Sequence, residues 1–234
     1  MELSADRAST EQRVDEQIGL IGLGLLGSAL AGRLLAAGFG VLGFDIDEER
    51  CKELEQAGGQ AARSATEVAR RCRRLVFCLP NSTVVREVLG QIESHLRGGA
   101  VIIDTTTGDP DEMAEFARKL LANGVGYLDA SVSGSSQQVR RGEAILLVGG
   151  CPAEYAAAQD ILSALARQVF HVGPSGSGAR MKLVVNLALG LHRAVLAEAL
   201  VFAERCGLDP ARALEILRAS PAYSRVMDLK GKKM

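Results

Sequence analysis

The chain has 234 residues, with 27 Lys and Arg against 28 Asp and Glu, for a net charge of −1. That balance offers no general attraction to nucleic acid or to an anionic membrane; 47% hydrophobic and 24% charged residues fit a globular chain long enough to bury a core. Five cysteines without a C-x-x-C pair and three scattered histidines give neither a disulfide framework nor a metal site, so a reduced, cytoplasmic setting is expected.

Residues 1–16, MELSADRASTEQRVDE, are polar and mixed in charge. They lack the basic and apolar regions of a signal peptide and are expected to be a mobile tail. The apolar run Ile18–Leu23 then reads as a buried strand. Gly22, Gly24 and Gly27 form G-x-G-x-x-G and open a helix (Leu26, Leu30, Leu34 and Leu35 on one side) that stops at Gly38; a second apolar run, Val41–Phe44, ends on Asp45. Strand, glycine turn, helix, strand and acid make a dinucleotide-binding unit, the acid falling at the expected distance for a ribose hydroxyl. A bare glycine pattern is weak, and its context gives it weight. Asp45 would repel a 2′-phosphate, and Ile46, Asp47, Glu48 and Glu49 bring nothing basic, so NAD is expected over NADP.

Alternation continues. A helix is expected over Asp47–Gln56, a short strand at Gln60–Ala62, and a helix from Ser64 to Arg71. A strand follows at Leu75–Cys78, then a helix capped by Ser82 and running to about His95. Val101–Ile103 reads as a strand ending at Asp104, with Asp109-Pro110 as cap and first residue of the next helix. Tyr127–Asp129 reads as a strand and Ala130–Ser136 as a loop of small residues. A short helix around Val139, a strand at Ala144–Val148, a helix from Pro152 to about Ala166 and a strand at Val169-Phe170 complete this part. Strands and helices in alternation predict a parallel sheet covered on both faces, with ligands at the carboxyl ends of the strands. From Gly178 the pattern is helical: one long helix to about Cys206, and another from Asp209-Pro210 to about Ser220. Within Leu183–Ala203 only Asn186, His192, Arg193 and Glu198 are polar. Arg193 and Glu198 count against a membrane span, and a helix buried between domains or subunits is expected.

Two features beyond the glycine turn suggest chemistry. Ser131–Ser136 offers hydroxyls and backbone amides, either a cradle for a small carboxylate or a solvated loop. Lys182 and Asn186 are four apart, on one helix face that Arg193 roughly shares. Lys182 reads alone as a surface lysine. On so apolar a helix, facing a cleft, it would instead be desolvated and lowered toward working pH.

With these residues in view, the chain resembles the β-hydroxyacid dehydrogenases, the group of 3-hydroxyisobutyrate dehydrogenase, tartronate semialdehyde reductase and the glyoxylate or succinic semialdehyde reductases. The matching stretches are GLIGLGLLG at 19–27, LPNS at 79–82, DTTTGDP at 104–110, DASVSGS at 129–135 and GSGARMKLVVN at 176–186. The resemblance implies a Rossmann-type doubly wound, mostly parallel sheet (17–173) followed by an all-α domain (174–234). It implies that Gly22, Gly24, Leu25, Leu26 and Gly27 hold the pyrophosphate and Asp45 the adenosine ribose, with Leu79, Pro80, Asn81 and Thr107 lining the rest of the cofactor cleft. Ser133, Gly134 and Ser135 would bind a substrate carboxylate, Asn186 would position the substrate, and Lys182 would be the general acid/base of an NAD-dependent oxidoreductase.

The chain departs from the family at three points. Where the family usually has DAPVSGG, Ser131 replaces the proline and Ser135 the second glycine. Val185 stands where the 6-phosphogluconate branch carries a histidine before the asparagine; the imine-reductase relatives usually lack the lysine. Family chains also continue with further helices beyond Met234, so the helical domain is expected to be incomplete. Two expectations follow: a homodimer or higher homo-oligomer, and, as the alternative function, a dinucleotide-binding protein of impaired catalysis.

Overall fold

A computed structural model describes residues 17–233; the expected tail at 1–16 lies outside them. The first strands and helices form where apolar runs and breakers place them. They are β1 (Gln17–Ile21), α1 (Leu25–Ala36), β2 (Gly40–Phe44), α2 (Glu48–Gln56), β3 (Gln60–Ala61), α3 (Ala65–Arg71) and β4 (Arg74–Phe77). Next come α4 (Ser82–Ile92), β5 (Val101–Asp104), α5 (Pro110–Ala122), β6 (Gly126–Ser133), α6 (Ser136–Arg140) and β7 (Ile145–Gly149). The remainder is α7 (Pro152–Ala157), α8 (Gln159–Leu165), β8 (Gln168–Gly173), α9 (Ser177–Arg205), α10 (Pro210–Ala219) and α11 (Arg225–Lys230).

The eight strands form one sheet in the order β3-β2-β1-β4-β5-β6-β7-β8. Only the β6–β7 pair is antiparallel. Successive side chains of each strand point to opposite faces. Ile18, Leu20, Val76, Ile103 and Leu128 therefore join α1 and α8 in one core, while Leu75, Phe77, Ile102 and Tyr127 join α3, α4 and α5 in a second. The mostly parallel, doubly wound expectation holds. The chain leaves β1 first toward β2 and β3, then crosses back to β4, which makes the β1–β4 junction the switch point where such sheets bind ligands.

Several boundaries differ from the sequence reading. Asn81, not Ser82, caps α4, its Oδ1 accepting from the Val84 amide at 3.0 Å; Ser82 is buried and accepts from the Asp109 amide at 3.3 Å. The expected loop at Ala130–Ser136 is strand as far as Ser133, because antiparallel pairing from Asp129↔Gly149 to Ser133↔Ile145 holds it. Its small residues alternate across the sheet rather than marking a turn. The helix expected from Pro152 to Ala166 breaks at Ala158 (φ −102°, ψ 2°), a turn that sets Ile161, Leu162 and Leu165 against the sheet.

The chain divides into two compact units after Lys182. The second has its own small core of Leu196, Leu200, Leu214, Val226 and Met227. The unanticipated α11 is held there by Asp228, which pairs with Arg218 at 2.6 Å and accepts from the Tyr223 hydroxyl at 2.7 Å. The expectation that α9 is buried is not met within this chain. Only 11% of its most apolar stretch is covered, and Leu183, Val184, Leu187, Leu191 and Val195 are exposed. Leu196 and Leu200 of this helix are covered by the small core, and the exposed apolar residues lie outside it.

Candidate active site

The glycine turn sits where β1 meets β4. Gly22 has φ +96°, and a Cβ there would collide with the Cys78 carbonyl just after β4, so only glycine fits. A Cβ on Gly27 would collide with the Gly22 carbonyl, which explains how α1 starts so close to the strand. Gly24 differs: a Cβ there meets nothing within 4 Å. Gly24 is also the cap of α1 and makes no side-chain capping bond. The first amides of α1, those of Leu25 and Leu26 among them, follow this open position at the positive end of a helix, which fits a pyrophosphate.

Neighbouring loops are tied to this turn in series. Asp45 accepts from the Leu23 amide through Oδ2 at 2.6 Å and from the Asp47 amide through Oδ1 at 3.0 Å. The Gly22 amide donates to the Phe44 carbonyl and the Cys78 amide to the Ile21 carbonyl, both at 2.9 Å. The Leu79 amide donates to Thr106 Oγ1 at 3.1 Å, and Thr105 Oγ1 donates to the Phe77 carbonyl at 2.6 Å. The structure therefore brings together the loops carrying Gly22–Gly27, Asp45, Leu79–Asn81 and Thr107 at one edge of the sheet. Pro80, Asn81 and Thr107 are exposed. The side chain of Asn81 is engaged as a cap, and Thr105 and Thr106 are buried in loop bonds. Burial pushes the thiol of Cys78, beside the turn, up to about 11, which disfavours the thiolate that a nucleophile needs.

At the same edge β6 runs past β5. Asp129, Ser131 and Ser133 share one face of it, and Asp129 meets the start of α9. Ser133 is half-buried, and Gly134 and Ser135 are exposed. Ser135 caps α6, accepting from the Gln138 amide at 3.3 Å while its own amide donates to Gln138 Oε1 at 2.9 Å. Ser131 is 1% exposed and its hydroxyl finds no partner among the described residues. Lys182 lies in the second turn of α9, half-buried; desolvation alone pushes its ammonium below the ordinary lysine value. No carboxylate of the described residues pairs with it. Asn186 is one turn further along α9 and exposed, on the second unit.

Sequence reasoning assigned no role to two buried carboxylates. Asp104 and Asp129 are register partners on β5 and β6. Asp104 accepts from the Tyr127 hydroxyl at 2.6 Å and the Thr106 amide at 2.9 Å; burial pushes its carboxyl up, and the charge of Asp129 adds to that. Asp129 accepts from the Gly176 amide at 2.7 Å and the Ala179 amide at 2.9 Å. The signal available was an acid closing each of two apolar runs. A groove of about 740 Å³ lies elsewhere, beside Phe39 and an Arg74–Asp160 pair at 2.7 Å.

Residues 17–173 match the model of the NAD binding domain of 6-phosphogluconate dehydrogenase, and residues 176–234 that of the NAD-binding region of NADP-dependent 3-hydroxyisobutyrate dehydrogenase. The chain is 34% identical over 220 residues to 2-(hydroxymethyl)glutarate dehydrogenase of Eubacterium barkeri, covering 93% of this chain and 73% of that one. It is 34% identical over 206 residues to mitochondrial 3-hydroxyisobutyrate dehydrogenase of Rattus norvegicus, covering 87% and 62%. Its fold matches 3-hydroxyisobutyrate dehydrogenase of Mycobacterium tuberculosis, solved with L-serine, with a TM-score of 0.85 at 26% identity, over 89% of this chain and 72% of that one. Two consecutive family models, these identities and the glycine turn at the switch point together show that the chain belongs to the β-hydroxyacid dehydrogenase family.

Proposed function

We propose that this protein transfers hydride between a nicotinamide dinucleotide, NAD in preference to NADP, and a small β-hydroxyacid/semialdehyde pair of the 3-hydroxyisobutyrate kind. The observation that carries the chemistry is Lys182: half-buried, lowered by desolvation and without a carboxylate partner among the described residues. A bound NADH would supply the hydride and NAD⁺ would accept it. The amides at the start of α1 would bind the pyrophosphate, and Asp45 the adenosine ribose. Leu79, Pro80, Asn81 and Thr107 would line the cleft beyond. Asp45 with the exposed Asp47, Glu48 and Glu49 sets four acids where a 2′-phosphate would need a cation, which supports NAD.

Ser133, Gly134 and Ser135 would hold the substrate carboxylate and Asn186 would orient the substrate. In oxidation, neutral Lys182 Nζ takes the hydroxyl proton as the C–H bond breaks and its electron pair leaves as hydride, so a C=O forms. In reduction the ammonium returns that proton to the oxygen as the carbonyl carbon gains the hydride. We also propose a homo-oligomer in which a second copy covers the exposed apolar face of α9, since Arg193 and Glu198 near its middle are costly in a bilayer.

The test is NADH oxidation with glyoxylate, succinic semialdehyde, tartronate semialdehyde and methylmalonate semialdehyde, run beside an NADH binding titration. Turnover of one or more supports the reading. NADH binding without turnover of any supports the alternative of a dinucleotide-binding protein with impaired catalysis.

A further inference from the structure

We propose that Asp129 is a positioning residue that clamps the start of the Lys182 helix onto the strand that carries Ser133 and leads into the substrate loop, so that lysine and substrate loop move as one body. This rests on the role proposed above for Lys182 and names what holds that group in place.

The clamp is built from both sides. The two carboxylate oxygens of Asp129 each take a different backbone amide, Gly176 at 2.7 Å and Ala179 at 2.9 Å, and both bonds are buried. Glycines let the parts close together. Gly149, the register partner of Asp129 on β7, would place a Cβ 2.5 Å from Oδ1. A Cβ on Gly178 would collide with the Asp129 and Leu147 carbonyls. The first turn of α9 therefore stands on the backbone of β6 and β7 with the carboxylate inside it. Ala179 and Lys182 are three apart, neighbours on one helix face. On the other side, Ser133 is four residues along the same strand face from Asp129, roughly 13 Å at strand rise. Ser131 lies between them, its hydroxyl buried and without a partner among the described residues.

A purely hydrophobic seat for this turn would leave the Gly176 and Ala179 amides buried without acceptors, at a cost at the start of a helix, whose leading amides have no intrahelical acceptor. An ionised acid answers both amides and the helix dipole together. Burial pushes the Asp129 carboxyl up, and the Ala179 and Gly176 amides oppose that by favouring the charged form. Asp104 is its register partner on β5, with the Tyr127 hydroxyl bonded to Asp104. The only cation carried by the opening turns of α9 besides Lys182 is Arg180, which pairs with Asp111 at 2.6 Å.

The test is Asp129→Asn, with Ala179→Pro as a second variant. The proline removes one of the two clamp donors at the third helical residue, where no intrahelical bond is lost. Two readouts do not depend on turnover: amide hydrogen exchange of residues 176–182, and the titration of Lys182 by NMR of ¹³C-methylated lysines, assigned with Lys182→Arg. Exchange is expected to quicken at least about tenfold over 176–182 and not over 25–36, and the Lys182 titration to move up as the amine regains solvent. NADH affinity should stay within about threefold, while kcat falls on the order of 10–100-fold with little change in KM, the signature of misplacement. Unchanged exchange and an unchanged Lys182 titration in either folded variant overturn the proposal. So does a loss of NADH affinity equal to the loss of kcat. If Asp129→Asn does not fold, Ala179→Pro decides. Wild-type protein with a low Lys182 titration that shifts in the variants, yet without turnover, defeats the dehydrogenase reading and leaves the clamp standing.

Discussion

Asp45 Oδ2 accepts the Leu23 backbone amide at 2.6 Å, tying the end of β2 to the glycine turn after β1. The residue expected to select the ribose thus also shapes the loop that would receive the pyrophosphate. Both sites share one carboxylate, so its loss should be felt at both.

Asp45→Ala is expected to weaken NADH binding by roughly 10–100-fold, the equivalent of one or two charged hydrogen bonds. NADPH, repelled by the same carboxylate, should lose less and its relative affinity should rise. Fluorescence titration of both dinucleotides checks this. Equal losses for the two would mean that Asp45 acts only through the Leu23 amide.

Gly24 and Gly27 separate binding from folding. A Cβ at Gly27 collides with the Gly22 carbonyl, whereas one at Gly24 meets nothing within 4 Å. Gly27→Ala should therefore cost about 1–3 kcal/mol of stability through backbone displacement. Gly24→Ala should melt like the wild type and still bind NADH more weakly, because its methyl occupies the open space before the α1 amides. Thermal unfolding set against NADH titration distinguishes the two.

These contrasts also show what the sequence could carry. Glycine spacing, the strand before Gly22 and the acid at Asp45 are local signals, and they predicted the α/β alternation and the ligand edge. The cap at Asn81 was misplaced by one residue because Asn81 and Ser82 both cap well and only tertiary contact decides: Ser82 is buried where the Asp109 amide reaches it. The strand through Ala130–Ser133 was hidden because its small residues look like a loop until β7 pairs with them. Asp129 answers amides 47 and 50 residues away, a relation that no spacing in one sequence encodes.

Lys182 should fix both rate and its pH dependence. Lys182→Ala is expected to keep NADH affinity while turnover falls by roughly 10²–10⁴-fold, the usual worth of a positioned acid/base. In oxidation the neutral amine is needed, so rate should rise with pH through the Lys182 titration. In reduction the ammonium is needed, so rate should fall over the same interval. Desolvation lowers this group, and the interval should lie below the ordinary lysine value. The two opposed pH–kcat limbs, present in wild type and absent in Lys182→Ala, form the check. An active alanine variant removes the assignment.

Asp104 should set part of the pH dependence of stability. It is fully buried and its carboxyl is raised, chiefly by burial and further by Asp129. A raised folded value means that the native state keeps a proton over an interval in which the unfolded chain has released it. Stability from this group is therefore fully present below the ordinary carboxylate value and is lost as pH rises through the raised one. Asp104→Asn has no proton to lose, and its amide oxygen can still accept from the Thr106 amide or the Tyr127 hydroxyl. Its stability relative to wild type should accordingly rise with pH across that interval, by about 1.4 kcal/mol for each unit that separates the two values. Asp129 is raised in the same direction and should leave a residual slope in the variant. Urea unfolding from pH 4 to 8 measures both curves; parallel curves would show that Asp104 remains ionised on folding without penalty.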